Sequence, residues 1–216
     1  GHHLEKVKRI SKNKTGTRIR FWSDRDIFDP EARIDVDQVR DRVVQACFLV
    51  PGVKIRVVDK RSGGSAEPFE FVSRGGLADL VDHLSSGGNA CEVITLSGID
   101  TFTERVPVDG KMSDVQRECI VEVALRWVKG YETRVESFVN TIPTSHGGTH
   151  TAGFDRALTR AVNDVLLKDT RKLAKLARDN KHRAIKEDVQ EGLVAACKVV
   201  FPEPQFRGQT KQELGT

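Results

Sequence analysis

The chain has 216 residues and a formal net charge of +4, with 38% hydrophobic and 31% charged side chains. That is a globular composition, sufficient for one large domain or two small ones. No apolar run approaches the roughly 20 residues of a membrane span and no secretory signal pattern is present, so membrane and secreted classes are not expected. The charge is unevenly placed: residues 1–20 and 168–186 each sum to +6, leaving −8 for the rest. Either basic segment could face a polyanion or form a solvated surface.

In chain order, residues 17–22 predict a strand, with Ile19 and Phe21 alternating with Arg18 and Arg20. A helix is expected from Asp35-Val36-Asp37 through Leu49. Val36, Val39, Val43, Cys47 and Val50 recur there at spacings of three and four. The two aspartates suit a positive helix N-terminus better than a magnesium site. Pro51-Gly52 ends this helix. Residues 53–58 and 69–72 predict paired strands around a Gly/Ser turn, and a short helix, 77–84, follows Gly75-Gly76.

Residues 91–96, 101–108 and 118–128 are strand candidates. In the last, Cys119, Val121, Val123, Leu125 and Trp127 oppose Glu118, Glu122 and Arg126, which predicts a sheet with one buried face. Gly130-Tyr131 predicts a tight turn into a strand at 133–140, hence an antiparallel hairpin. From about Ala152 a helix places Phe154, Ala157, Leu158, Ala161, Val162 and Val165 on one stripe. Leu173, Leu176 and Ala177 suggest a second helix among the basic residues. Glu187-Asp188 opens a short one ending near Gly192, and 194–201 predicts a final strand stopped by Pro202. The order predicts an α+β fold, a four-stranded sheet covered on one face by helices.

Cys47, Cys91, Cys119 and Cys197 form no C-x-x-C pair and each sits in an apolar stretch, as expected of free core thiols in a reducing compartment. His146 and His150 are four apart, but Gly147 and Gly148 between them argue against a shared helix face, and no third ligand stands nearby, so no metal is expected. His2 and His3 open the chain and receive no role. A hydrolase using Ser145 and His146 is disfavoured, since adjacent residues do not readily make a nucleophile–base pair.

Four segments resemble one family. Asn140-Thr141-Ile142-Pro143-Thr144-Ser145-His146-Gly147-Gly148-Thr149-His150, with Gly153-Phe154, resembles the N-x-I-x-T-x-x-G-G-T-H-x-x-G-F signature of type II DNA topoisomerase B subunits, gyrase B and topoisomerase IV B. Glu187-Asp188-Val189-Gln190-Glu191-Gly192-Leu193 resembles their D-D-x-R-E-G-L motif. Pro204-Gln205-Phe206-Arg207-Gly208-Gln209-Thr210-Lys211 resembles the P-Q-F-x-G-Q-T-K loop, and Thr15-Gly16-Thr17 with Phe21-Trp22 the T-G-T-x-x-x-F-W strand.

The resemblance implies a boundary near Gly75-Gly76. Residues 1–75 would be the C-terminal part of a GHKL-type ATPase domain, and residues 76–216 a transducer domain with a left-handed βαβ crossover. The family's N-E-x-x-D helix, D-x-G-x-G loop and glycine-rich lid for Mg-ATP are not in these residues, nor are its TOPRIM elements. A fragment lacking most of its nucleotide site, inactive alone and with no cofactor bound, is therefore expected. In the full protein the resemblance implies ATP and Mg2+, a topoisomerase A subunit, duplex DNA, a B-subunit homodimer formed on ATP binding, no membrane, and a cytoplasmic, nucleoid-associated location.

By the same resemblance Lys211 would sense the γ-phosphate of ATP as the catalytic lysine, with Gln209 donating an amide hydrogen bond. Thr17 would lie at the adenine side, with Ile19 beside it. Duplex DNA would meet Arg156, Lys172, Lys175 and Arg178, with Lys181 and Arg183 nearby. The family often carries a basic residue directly after G-F; here that position is Asp155 and Arg156 comes next. The alternative is a stand-alone basic nucleic-acid-binding domain, which accounts for the basic segments but not for the Gln-Thr-Lys loop.

Overall fold

The structure, a computed structural model, describes residues 8–9, 11, 13, 15–29, 31–61, 63, 67–168 and 183–215. The chain forms two compact units, Gly1–Asp35 and Val36–Thr216. In the first, residues 17–22 form no strand, contrary to the sequence expectation. Ile19, Phe21 and Trp22 are largely exposed. The alternation is present, but a strand also needs a neighbour to satisfy its N–H and C=O groups.

The second unit opens with α1 (Val36–Leu49), β1 (Lys54–Val57), β2 (Phe69–Val72) and α2 (Leu77–Leu84). Of the predicted stripe of α1, Cys47 is buried, Val36, Val39 and Val43 are half-buried and Val50 is exposed, while Phe48 and Leu49, outside that stripe, pack into the core. At the Gly75-Gly76 junction, Asp79 Oδ2 accepts from Ser73 Oγ at 2.7 Å and from Gly75 N at 2.8 Å. These hydrogen bonds, the serine's first, hold the Asp79 carboxyl below its ordinary range and fix the entry into α2.

The sheet follows. It contains β3 (Ile94–Val108), β4 (Lys111–Trp127), β5 (Arg134–Val139), the two-residue β6 (Ile142–Pro143) and β7 (Leu193–Val200). Between β6 and β7 come α3 (Thr149–Lys168) and α4 (Lys186–Gln190). The strand order is β3-β4-β7-β5-β6, so the sheet has five strands rather than four. Residues 91–96 and 101–108, separate strand candidates in the sequence, contribute to one continuous β3. Gly98 does not break it, because β4 pairs with it residue by residue from Ile94 to Val108.

The expected β4–β5 hairpin is absent. β7 lies between the two, antiparallel to β4 and parallel to β5. Tyr131, at the presumed turn, is 85% exposed and packs no hairpin. The β5–β7 pair, joined through α3 and α4, makes a parallel βαβ unit.

Both faces of the sheet are covered, not one. Ala124, Phe138, Val194 and Ala196 pack against Phe48 and Leu49 of α1 and Leu80, Val81 and Leu84 of α2. Val123, Leu125, Leu193, Ala195 and Cys197 face the other way, against Phe154 and Leu158 of α3. Two charged side chains of the first face reach the helices. Arg126 Nη1 meets Asp82 Oδ1 of α2 at 2.7 Å. Lys198 Nζ meets Glu122 Oε2 at 2.7 Å and donates to Leu49 O at 3.3 Å, satisfying a carbonyl at the negative end of α1. The charges that marked this face as solvated instead stitch helices to strands.

On α3 the predicted stripe is only partly buried. Phe154 and Leu158 reach the core, while Ala157, Ala161 and Val165 remain exposed. The expected helix at 173–177 lies outside the described residues. Finally β8 (Phe206–Arg207) and β9 (Glu213–Leu214) form a small antiparallel hairpin where the sequence predicts a loop.

Candidate functional site

The signature segment begins where β5 ends. Asn140 adopts φ 57, a conformation asparagine tolerates. Its side chain continues the β5–β7 ladder: Nδ2 donates to Phe201 O at 3.2 Å and Oδ1 accepts from Phe201 N at 3.0 Å. The segment then runs through β6 to Thr144, turns over Gly147 and Gly148, and enters α3 at Thr149.

The β8–β9 hairpin is mounted on this turn. His146 N donates to Gln212 O at 3.0 Å, and Leu214 N donates to Gly147 O at 3.0 Å. Gly148 bridges Leu214, and a Cβ there would stand 2.4 Å from Leu214 O and 2.6 Å from Leu214 N. That close approach requires glycine. Leu214 itself is fully buried with Val139 and Val199, and Phe206 packs against the same cluster.

The root of the hairpin is thus fixed to the sheet and to the start of α3, while its tip is exposed from Gly208 to Lys211. Gly208 has φ 80 and Lys211 φ 55, so the tip is a sharp turn. Gln209 and Lys211 share it, and neither side chain makes a hydrogen bond or ion pair within the described residues. The arrangement presents an ammonium and an amide outward from a rigid base, as donors for an anion.

Beneath the turn lies a buried polar cluster. Ser137 Oγ donates to Thr144 O at 2.8 Å and lies 2.7 Å from Thr144 Oγ1, which is 3.2 Å from His150 Nε2. Burial holds the His150 pKa below its ordinary value. Nearby, burial first, then the Asp155 charge and Cys119, push the Cys197 thiol up to about 12. All four cysteines are free. Sequence reasoning missed the roles of Ser137 and Thr144. Their signal was Ser137 itself, a hydroxyl between Val135 and Val139 on the inward face of β5.

The other expected residues are placed as follows. Thr17 and Ile19 lie in the first unit, both exposed. Arg156 is exposed on α3, its Nε donating to Ala152 O at 3.1 Å. Arg183 is exposed, whereas Lys172, Lys175, Arg178 and Lys181 lie outside the described residues. Arg156, Arg160, Arg183 and Lys186 line a cleft of about 500 Å3 along α3. Asp155 is tied elsewhere: Oδ2 meets Lys186 Nζ at 2.7 Å, and Oδ1 accepts from Gln190 Nε2 at 2.6 Å. It clamps α4 to α3. Among the described residues no group of three His, Cys, Asp or Glu side chains could hold a metal ion, and no helix is long and apolar enough to cross a membrane.

Comparison with known proteins places this geometry. Residues 76–216 match the family model described as DNA gyrase B. The chain is 37% identical over 203 residues to the DNA gyrase B subunit of Streptococcus pneumoniae serotype 4, covering 94% of this chain and 28% of that protein. It is 38% identical over 208 residues to the corresponding protein of Treponema pallidum, covering 96% and 30%. Among solved structures it resembles the 43K ATPase domain of Thermus thermophilus gyrase B in complex with an aminocoumarin. That match has TM-score 0.61 and 27% identity, over 89% of this chain and 46% of that one. It shares its fold with the topoisomerase IV ATP-binding domain of Francisella tularensis, at TM-score 0.59 and 20% identity, over 91% and 46%.

The class so defined is that of the B subunits of type II topoisomerases. The chain belongs to the DNA gyrase B family. It spans less than a third of the length of these curated relatives.

Proposed function

We propose that this chain is the transducer region of an ATP-dependent type II DNA topoisomerase B subunit, coupling ATP binding and hydrolysis to domain rotation and strand passage. Residues 76–216 would be the transducer and residues 1–75 the end of a GHKL-type ATPase domain. The family match beginning at residue 76 supports that boundary. The carrying observation is the hairpin, whose exposed tip bears Gln209 and Lys211 and whose root is bonded to the signature turn.

The residues present fit the terminal phosphate of ATP. Lys211 supplies a compact, mobile positive charge, and Gln209 supplies an N–H donor for a phosphate oxygen. Bound ATP would supply a γ-phosphate that is present before hydrolysis and gone after it. Lys211 would stabilise charge developing on that group, and its engagement would hold the hairpin, and with it the sheet, toward the nucleotide. Thr17 would approach the base edge through its hydroxyl. Among the described residues no group of three His, Cys, Asp or Glu side chains fits Mg2+. The chain alone would be inactive. The full protein would be an isomerase working with a topoisomerase A subunit, on duplex DNA, as a B-subunit homodimer, in the cytoplasm at the nucleoid.

In a full-length B subunit carrying this chain, Lys211→Ala lowers ATP turnover about 100-fold or more while the circular dichroism spectrum is unchanged. Near-normal turnover would overturn the role. The exposed cations Arg156 and Arg183, with Lys172, Lys175 and Arg178, would contact the DNA backbone without reading bases. Arg156→Glu should then reduce DNA-stimulated ATPase; an unchanged stimulation removes Arg156 from the DNA path.

A further inference from the structure

The hydrogen atoms of the buried Ser137–Thr144–His150 cluster can be assigned by counting. Each hydroxyl has a single proton to give. The Thr144 carbonyl can only accept, so the Ser137 proton is used in the 2.8 Å bond to Thr144 O. The 2.7 Å contact between the two hydroxyls is then donated by Thr144. With its proton committed, Thr144 Oγ1 offers His150 only lone pairs, so the 3.2 Å contact is donated by His150 Nε2–H. His150 Nδ1 is left as a bare lone pair. It is the buried ring nitrogen without a hydrogen-bond partner, consistent with a neutral imidazole protonated at Nε2.

The three residues come from three elements: Ser137 from β5, Thr144 from the turn and His150 from the first turn of α3. Thr144 is 2% exposed and Ser137 7%. The Thr144 carbonyl also accepts from Gly147 N at 2.8 Å, and Gly147 O in turn accepts from Leu214 N at 3.0 Å. A continuous chain of hydrogen bonds therefore runs from the α3 imidazole, through Thr144 and Gly147, to the strand that follows Lys211.

We infer that Thr144 is a positioning residue for Lys211: the Ser137–Thr144–His150 lock sets the turn on which the Lys211 hairpin is mounted, and so the reach of the ammonium. The inference rests on the reading of Lys211 as the phosphate sensor only for its catalytic consequence; the lock itself is a property of this chain. It also makes α3, through His150, a second element bearing on the hairpin besides the sheet.

The lock is tested in this chain by amide hydrogen exchange followed residue by residue. Thr144→Val removes the hydroxyl and keeps the shape, so exchange at Leu214 N and His146 N rises about 10-fold or more, while Leu125 and Ala195 in the sheet keep their protection. Thr144→Ser restores the hydroxyl and the protection. Ser137→Ala gives a second route to the same loss should Thr144→Val fold poorly. In the unaltered chain the nitrogen resonances of His150 report a proton on Nε2 and a lone pair on Nδ1. Unchanged exchange at Leu214, equal loosening of the sheet, or the opposite tautomer overturns the lock.

The catalytic consequence is read in a full-length B subunit. Thr144→Val lowers kcat for ATP hydrolysis about 10-fold with KM within about 2-fold, and adds no further loss in a Lys211→Ala background. Losses that multiply in the double variant overturn the positioning role. A Lys211→Ala variant with normal turnover instead overturns the phosphate-sensor reading and leaves the exchange result to decide the lock.

Discussion

The carboxylate of Asp155, directly after Gly153-Phe154, is not idle. It holds Lys186 and Gln190 and so fastens α4 to α3. Its neighbour Arg156 projects about 100° away and stays exposed, which is why one residue can serve the fold and the next can face a ligand. His150 shows the other side of burial. The folded protein binds a proton on this ring less readily than the unfolded chain does, because burial disfavours the imidazolium. Its stabilising contribution is complete above the unfolded value of 6.5 and is lost as pH falls through the lower folded pKa. As pH falls below 6.5, denaturation midpoints should therefore fall with it, and His150→Gln should flatten that slope. A slope unaltered by the substitution would assign the effect to another group.

Two glycines of the signature segment separate the needs of turn and helix. Gly148 lies against the Leu214 backbone, with φ 137. Gly148→Ala should expel β9 and lower stability by about 2 kcal/mol or more, near the lower end for losing a buried leucine's packing. Gly153 sits inside α3 with nothing within 4 Å of where an added methyl would stand, so Gly153→Ala should raise stability by about 0.5–1 kcal/mol. Chemical denaturation of the two variants measures both signs, and equal effects would contradict the geometry. The elements themselves were legible where the signal is local. α1, β2 and α2 follow from periodicity and from the breaks at Pro51-Gly52 and Gly75-Gly76. The position of β7 between β4 and β5 was not legible, because a strand's neighbour across about 60 residues leaves no mark in its own alternation. Nor was the β8–β9 hairpin, whose strands of two residues are too short to show a period. Of the site, the Gln-Thr-Lys tip was visible through resemblance; the buried hydroxyls that support it became visible only once β5, the turn and α3 were brought together.

Across the whole chain, the two units differ in what they complete. In Val36–Thr216 each face of the sheet carries a buried cluster. Gly1–Asp35 leaves Ile19, Phe21, Trp22 and Ile27 largely exposed. The larger unit is also uneven along its length. β7 pairs with β4 only from Ile120 to Trp127, so the outer parts of β3 and β4 form a two-stranded arm. The arm is braced at its base by Phe102 against Phe201 and by Arg117 with Glu104 and Glu203. It ends in a turn at Asp109 and Gly110, both with positive φ, as a tight two-residue hairpin requires.

Because that turn is self-contained, the arm can be treated as a cassette. Splicing Asp109-Gly110 directly between Phe102 and Arg117, which face each other across the strands, would remove most of the arm and keep its register. The shortened chain should melt within about 2 °C of the original, since the excised residues contribute nothing to the two-faced core. A larger drop would show that the arm supports the sheet. If the melt holds, the same turn becomes a port at which a fluorophore or an affinity tag can be grafted far from Lys211 in sequence, allowing the hairpin to be watched without touching it.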